Sequence, residues 1–316
     1  MNLPVATKET LRTVLEEHGA AIIPSVLDDA ACERMQSQMW DFIEIISSKW
    51  STPIRRDDTT TWVGIYKLSP PHGMLIQHWG VGQSQASWDV RQNPAVVDVF
   101  RAFWNCPDLL TSFDGISFSM PPEITHRGWH RDTKFHTDQN YKMPGFKCMQ
   151  SWVTPLDVDA GDATLTLLLG SHVYHAEFAK TFDIKEADNW YALNPEQQAW
   201  YLSKPGVRHV DVICKAGDMV CWDSRTIHCG KRPIKGRANP KLRMVSYICM
   251  QPKEMASKKD LEKKRKAVEE LRTTTHWPTK PKLFGKSPRN YGVPWPEMTL
   301  PPAPILTDIG RALAGY

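Results

Sequence analysis

At 316 residues and 36.1 kDa, with 41% hydrophobic and 23% charged residues, the chain has the make-up of one large folded domain or two small ones. A net charge of +4 is too small an excess to indicate a nucleic-acid partner, and no apolar run approaches the roughly 20 residues of a membrane span. The seven cysteines, Cys32, Cys106, Cys148, Cys214, Cys221, Cys229 and Cys249, show no C-x-x-C spacing and follow a polar N-terminus without a signal-peptide core, which predicts free thiols and a cytoplasmic location.

In chain order, the pattern predicts a helix over 8–17, a short apolar run over 20–26 and an amphipathic helix over 30–47 carrying Met35, Met39, Phe42, Ile43 and Ile46. Residues 51–61 read as a loop, and Asn93-Pro94 opens a further helix with Val96, Val97, Phe100 and Phe103 on one side. After residue 113 the character changes to short β-like runs, best seen at 116–120, 149–155, 164–169, 207–213, 218–222 and 244–250. This predicts a mainly-β barrel or sandwich with flanking helices, interrupted at 174–204 by a Trp- and Tyr-rich, helix-compatible insertion. The alternating charges of 257–272 predict a solvated surface helix. Eight prolines in 276–304 predict an extended arm wrapping the domain. The chain is thus expected to be one domain over 1–316, with a helical part (1–112), a β core (113–250) and the charged helix and arm (251–316).

The informative segment is GWHRDTKFHTDQN, residues 128–140, with two His-x-Asp triplets, His130-Arg131-Asp132 and His136-Thr137-Asp138. On a strand, residues i and i+2 share a face, so either triplet can present an imidazole and a carboxylate to one metal ion. A second, distant His completes a facial triad with three open positions, a geometry suited to non-haem Fe(II). His228, after the strand-like run ending at Trp222, fits that place. Arg243 opens the next apolar run and is suited to a forked bond with a carboxylate. Arg237, in the loop-like GRANP, is its rival.

The ordered set resembles the phytanoyl-CoA dioxygenase-like branch of the Fe(II)/2-oxoglutarate oxygenases. The matching pieces are FHTDQN, CMQSWVTPLD, LLLGSH at 167–172, GDMVCWDSRTIH and LRMVSY, with HGAAIIPSVLDD near the start. The resemblance implies a double-stranded β-helix, a cupin-like jelly roll, with Fe(II) on His136, Asp138 and His228 and the C5 carboxylate of 2-oxoglutarate on Arg243. It implies a dioxygenase, most simply a hydroxylase of a small molecule, that consumes O2 and 2-oxoglutarate and releases succinate and CO2. The second triplet is preferred because HTDQNYKMPGFKCMQ leads to the next strand through a Gly turn, whereas His130 and Asp132 require a longer loop. The alternatives are a non-catalytic metal- or ligand-binding protein on this fold and a cupin-type metalloenzyme without 2-oxoglutarate.

Gln150 and Trp152 lie on one face of the next strand and are expected to line the co-substrate pocket. Ser171 and His172 read as turn chemistry. Arg225 is placed either to steer a carboxylate or to brace Asp223, and Lys231, Arg232, Lys235 and Arg237 read as a solvated basic loop. The segment 72–92, rich in Gly, Gln, His and Trp, is a candidate lid with His78, Gln83, Gln85 and Trp88 as contacts. His18, His126, His175, His209 and His276 read as structural.

Overall fold

The computed structural model describes the chain apart from Met1, residues 69–73, residues 128–131, Ala187, Tyr291 and Val293. The short apolar runs become strands β1 (Ala20–Ile23), β2 (Leu75–Ile76), β3 (Leu109–Thr111), β4 (Ile116–Ser119), β5 (His136–Thr137) and β6 (Met149–Val153). They continue as β7 (Thr164–Leu169), β8 (Tyr191–Ala192), β9 (Arg208–Asp211), β10 (Met219–Asp223), β11 (His228–Lys231) and β12 (Arg243–Pro252). The larger sheet runs β1-β10-β6-β12-β4-β2, with β3 also pairing to β12, and the smaller runs β8-β5-β11-β7-β9. Every pairing among these strands is antiparallel. This is the mainly-β jelly roll with flanking helices.

Strand alternation decides what faces the site. On β6, Trp152 packs with Val220, Trp222, Val245 and Leu167 inside the barrel, while Met149 and Val153 join Met219, Met244 and Ile248 on the opposite face. That outer face is covered by helix Asp29–Ile46, which the Asp28 carboxylate caps by accepting from Ala31 N at 2.7 Å and which buries Met35, Met39, Ile43 and Ile46 in the same cluster. Gly19 ends helix Leu11–His18 with φ +82°, where a Cβ would stand 2.4 Å from His172 Nδ1, so glycine is required at this turn.

Three readings need correction. The β core is not confined to 113–250: β1, β2 and β3 come from the N-terminal part, because apolar runs of two to four residues are too short to show their period in sequence. The described residues of 72–92 form no lid, and residues 72 and 73 lie outside the described residues. Gln83 and Trp88 are fully buried, the Trp88 indole donating to Gln83 Oε1 at 2.8 Å and Gln83 Nε2 donating to Arg272 O at 3.0 Å. Gln85 reaches Asp89 and the arm at Ile305, and His78 Nδ1 meets Gly285 O at 2.8 Å. The segment is the bed on which the C-terminal arm lies.

Third, helix Lys258–Glu269 is not solvated all round. Lys264 is 1% exposed, donates to Thr111 O at 2.5 Å and sits 4.0 Å over the Phe113 ring. Burial, with Arg91 nearby, pushes its ammonium down to about 7. The unfolded chain keeps that proton to about 10.4, so stability rises with pH between the two values and carries the full cost below about 7. Lys264→Met is therefore expected to stabilise the protein by about 1–4 kcal/mol at mildly acidic pH, net of the Thr111 carbonyl left unpaired. The gain should shrink as pH rises toward the ordinary lysine range; paired thermal melts across that range check it.

Between the charged helix and a last helix, Asp308–Ala314, the described residues of the arm hold no helix and only the isolated Thr274–Leu283 bridge. Trp295 packs edge-on against Trp79 at 5.4 Å, and Trp277 is buried beside Cys148 and Cys249. All seven cysteines are free, and no helix among the described residues is long and apolar enough to cross a membrane.

Candidate metal centre

The pairing of β5 with β11 sets His136 directly opposite His228. Their rings lie 4.4 Å apart, and Asp138, just past β5, turns its carboxylate toward both. His136 Nε2 is 3.8 Å from Asp138 Oδ1 and His228 Nε2 is 3.4 Å from Oδ2. One atom from each residue lies within 4.8 Å of the others, the one such His/Cys/Asp/Glu cluster among the described residues.

Each imidazole is oriented by its far nitrogen. His136 Nδ1 is 2.7 Å from Lys134 O, and His228 Nδ1 is 2.9 Å from Thr226 O. A neutral ring that donates from Nδ1 to a carbonyl keeps its Nε2 lone pair for a metal. Burial, reinforced by the neighbouring His228, pushes His136 down to about 4, so the ring is neutral at pH 7. Burial works against ionising Asp138, but its contact with His228 and the charges of His136 and His276 outweigh that and hold the carboxyl below its ordinary range. Donors about 2.0–2.2 Å from a common ion at right angles stand roughly 3 Å apart, so the observed spacings suit a small inward adjustment around a first-row metal.

Gln150 and Trp152 share the inner face of β6. Gln150 Nε2 donates to Asp138 Oδ2 at 2.9 Å, while its buried Oε1 has no partner among the described residues. Trp152 is fully buried, with the Arg243 guanidinium 5.8 Å from its ring. Arg243, at the start of β12, is 5% exposed and donates from Nε to Ser117 Oγ at 2.9 Å and from Nη1 to Ala163 O at 3.0 Å. It makes no ion pair among the described residues. A buried guanidinium without a counter-charge is costly. Along one strand face, Gln150 leads to the triad and Trp152 to the guanidinium.

The rivals are occupied elsewhere. Arg237 pairs with Glu123 at 3.0 Å and with Asp162. Asp132 accepts from the Arg232 backbone at 2.8 Å at the surface, and His130 lies outside the described residues. Arg225 braces Asp223 at 2.6 Å, and Lys231 pairs with Asp211, so the basic loop is largely neutralised within the chain. Ser171 Oγ accepts from Ile227 N at 2.8 Å and His172 Nε2 meets Glu16 O at 3.0 Å, so both bond backbone groups, but of distant segments rather than of their own turn.

Three residues near the site escape the sequence reading. Gln139, fully buried, donates to Met143 O and Gly145 O and accepts from Ser224 Oγ at 2.8 Å, fixing the turn after Asp138. Trp190, in the 174–204 insertion, is 58% exposed with its ring 5.7 Å from that of His136. His276 belongs to the arm, and burial pushes its imidazole below the ordinary range, the charge of Asp138 opposing and that of His228 reinforcing the shift. The FHTDQN motif itself signals Gln139; nothing in the sequence ties Trp190 or His276 to the triad.

Comparison with known proteins is consistent with this geometry. The family model described as phytanoyl-CoA dioxygenase matches residues 15–232, more than half of the chain. The Ava biosynthesis cluster protein O of Aspergillus versicolor is 29% identical over 211 residues, 64% of this chain and 65% of that protein, so the match spans slightly less than two thirds of the relative's length. Among solved structures, a hypothetical protein of Escherichia coli shares the fold with a TM-score of 0.60 at 12% identity, over 100% of this chain and 85% of the other. The epimerase SnoN, solved in complex with Fe3+, alpha ketoglutarate and nogalamycin RO, does so with a TM-score of 0.51 at 16% identity, over 78% and 84%.

Proposed function

Since the chain belongs to the phytanoyl-CoA dioxygenase family, whose members use Fe(II), 2-oxoglutarate and O2, we propose that it is an Fe(II)- and 2-oxoglutarate-dependent dioxygenase that hydroxylates a small molecule. The observation that carries this reading is the pairing of a two-His, one-carboxylate cluster with a buried, uncompensated guanidinium on the same barrel interior. The donor set fits ferrous iron: two neutral imidazoles and one carboxylate leave one net positive charge and three open positions.

His136, Asp138 and His228 hold the metal, and Arg243 takes the distal carboxylate of 2-oxoglutarate. Bound there, the iron and its keto-acid co-substrate supply the oxidising power for hydroxylation, with succinate and CO2 as co-products. The chain's own work is positioning. The Lys134 and Thr226 carbonyls fix the ring tautomers, and Gln150 holds Asp138 Oδ2. Trp152 and Trp222 wall the barrel interior and exclude water from the co-substrate. A metalloprotein that used no dicarboxylate would have no need of Arg243 in this place.

Trp190 offers an apolar platform at the rim beside His136, suited to the substrate rather than the co-substrate. Trp190→Ala is expected to raise the substrate KM about tenfold, the value of one aromatic contact, with 2-oxoglutarate affinity unchanged. Steady-state kinetics with each varied in turn checks it. The function itself is tested by succinate release from purified protein with Fe(II), 2-oxoglutarate and a small-molecule panel. Release that needs both supports the reading; 2-oxoglutarate left unconsumed, with every compound and without any, contradicts it.

A further inference from the structure

Besides Arg243, strand β12 turns a second hydrogen-bonding side chain into the barrel. Its odd-numbered residues face inward: Val245 packs with Trp152, Trp222 and Leu167, whereas Met244 and Ile248 belong to the outer face. Tyr247 is on the inward side, packed against that same interior cluster and directly opposite Trp152 in the pairing of β12 with β6. Of the ten residues of β12 it is the one that is only half-buried. Solvent therefore reaches the interior at this residue, as it does at His136 and Asp138.

The Tyr247 hydroxyl makes no hydrogen bond among the described residues. Buried tyrosines as a rule find a partner for theirs. Tyr66, Tyr141, Tyr174, Tyr191 and Tyr201 do so within this chain at 2.8–3.2 Å. Two donors beside Tyr247 are also unpaired. Trp152 Nε1 is buried without a partner among the described residues. Arg243 commits Nε and Nη1 to Ser117 Oγ and Ala163 O, and its Nη2 has no hydrogen bond among the described residues. Ser117 stands opposite Val245, so the Arg243 side chain leans along β12 toward Tyr247. Its guanidinium lies 5.8 Å from the ring of Trp152, the residue that Tyr247 faces across the sheet.

A hydroxyl can donate or accept, but an indole and a guanidinium only donate, so a group that all three share must accept. A carboxylate does so through two oxygens, with room for about four hydrogen bonds. The distal carboxylate of a keto diacid, held by Arg243 in the reading above, meets that need. We propose that Tyr247 is a specificity-determining residue of the co-substrate pocket, its hydroxyl donating to the distal carboxylate of 2-oxoglutarate beside the Arg243 fork. The inference rests on the co-substrate reading of Arg243 and adds the device that selects a diacid. A keto acid that ends in a methyl group leaves these donors without an acceptor, and a site built to hydrogen-bond its ligand strongly rejects an analogue that lacks the partner.

The test uses the full chain loaded with Fe(II), anaerobically. Tyr247→Phe removes one oxygen and keeps the ring in the interior cluster; thermal melts establish that it is folded. The probes are 2-oxoglutarate and 2-oxopentanoate, a keto acid of equal length with a methyl group in place of the distal carboxylate. Each is titrated by calorimetry, and the visible charge-transfer band of the keto-acid complex is recorded at saturation. The expected result is 2-oxoglutarate binding weakened about 10- to 100-fold, the value of one hydrogen bond to a charged group. Fe(II) affinity, 2-oxopentanoate affinity and the band should stay as in the parent. A folded variant that binds 2-oxoglutarate within about twofold of the parent overturns the proposal. So does an equal loss for both acids or a shifted band, since either places the effect away from the distal carboxylate. If the parent binds Fe(II) but not 2-oxoglutarate, the co-substrate reading of Arg243 itself falls, and Tyr247 with it; if the parent binds both and the variant matches it, Tyr247 alone falls.

Discussion

Asp138→Ala protein is expected to bind Fe(II) at least about a hundredfold more weakly than the parent, and to lose turnover with it. Removing a residue that merely supports a metal ligand already costs roughly 10- to 100-fold, and Asp138 is the one carboxylate of the cluster. Without it the two imidazoles bring no negative charge to the ion. The fold should survive. The carboxylate accepts from Gln150 and meets His228, while both rings keep their Lys134 and Thr226 carbonyl partners, so the change costs about 1–3 kcal/mol and a few degrees in melting temperature. Metal titration alongside a thermal melt separates these effects. A folded Asp138→Ala protein with parental iron affinity would remove the metal from this place.

Arg243→Met is expected to weaken 2-oxoglutarate binding by about 10²–10³-fold while leaving Fe(II) affinity unchanged. Truncating one partner of a buried charge pair costs about 2–5 kcal/mol, and here the other partner is the ligand itself. Stability moves little, because two opposing effects meet. Ser117 Oγ and Ala163 O lose their donor, but a buried cation without an in-chain counter-charge is also removed. Arg243→Lys should rescue poorly, since an ammonium does not reproduce the planar fork. Anaerobic 2-oxoglutarate titration of the Fe(II)-loaded variants reads the effect.

The grouping of His136, Asp138 and His228 was legible because it is written locally: a His-x-Asp triplet, then a His after a strand. Long strands such as Thr164–Leu169 and Arg243–Pro252 were legible too, since several apolar residues in a row reveal them. The two-residue strands His136–Thr137 and Tyr191–Ala192 were not, because two residues carry no period; their pairing is set by β11 and by each other. Gln83 misled for a different reason. A polar side chain whose partner is a buried indole looks, in sequence, like one meant for solvent. Lys264 is the same case on a helix, hidden among lysines that are exposed. The docking of the arm was out of reach altogether: a proline-rich stretch reveals that it wraps, and only the docked arm shows Trp277 buried beside Cys148 and Cys249.

The position of the iron decides the function. Crystals grown anaerobically with Fe(II) and 2-oxoglutarate, measured at the iron absorption edge, give that position directly. The expected result is one anomalous peak within about 2.2 Å of His136 Nε2, His228 Nε2 and an Asp138 carboxylate oxygen, with the distal carboxylate of the keto acid on Arg243. A peak at His130 and Asp132, or none inside the barrel, would contradict it.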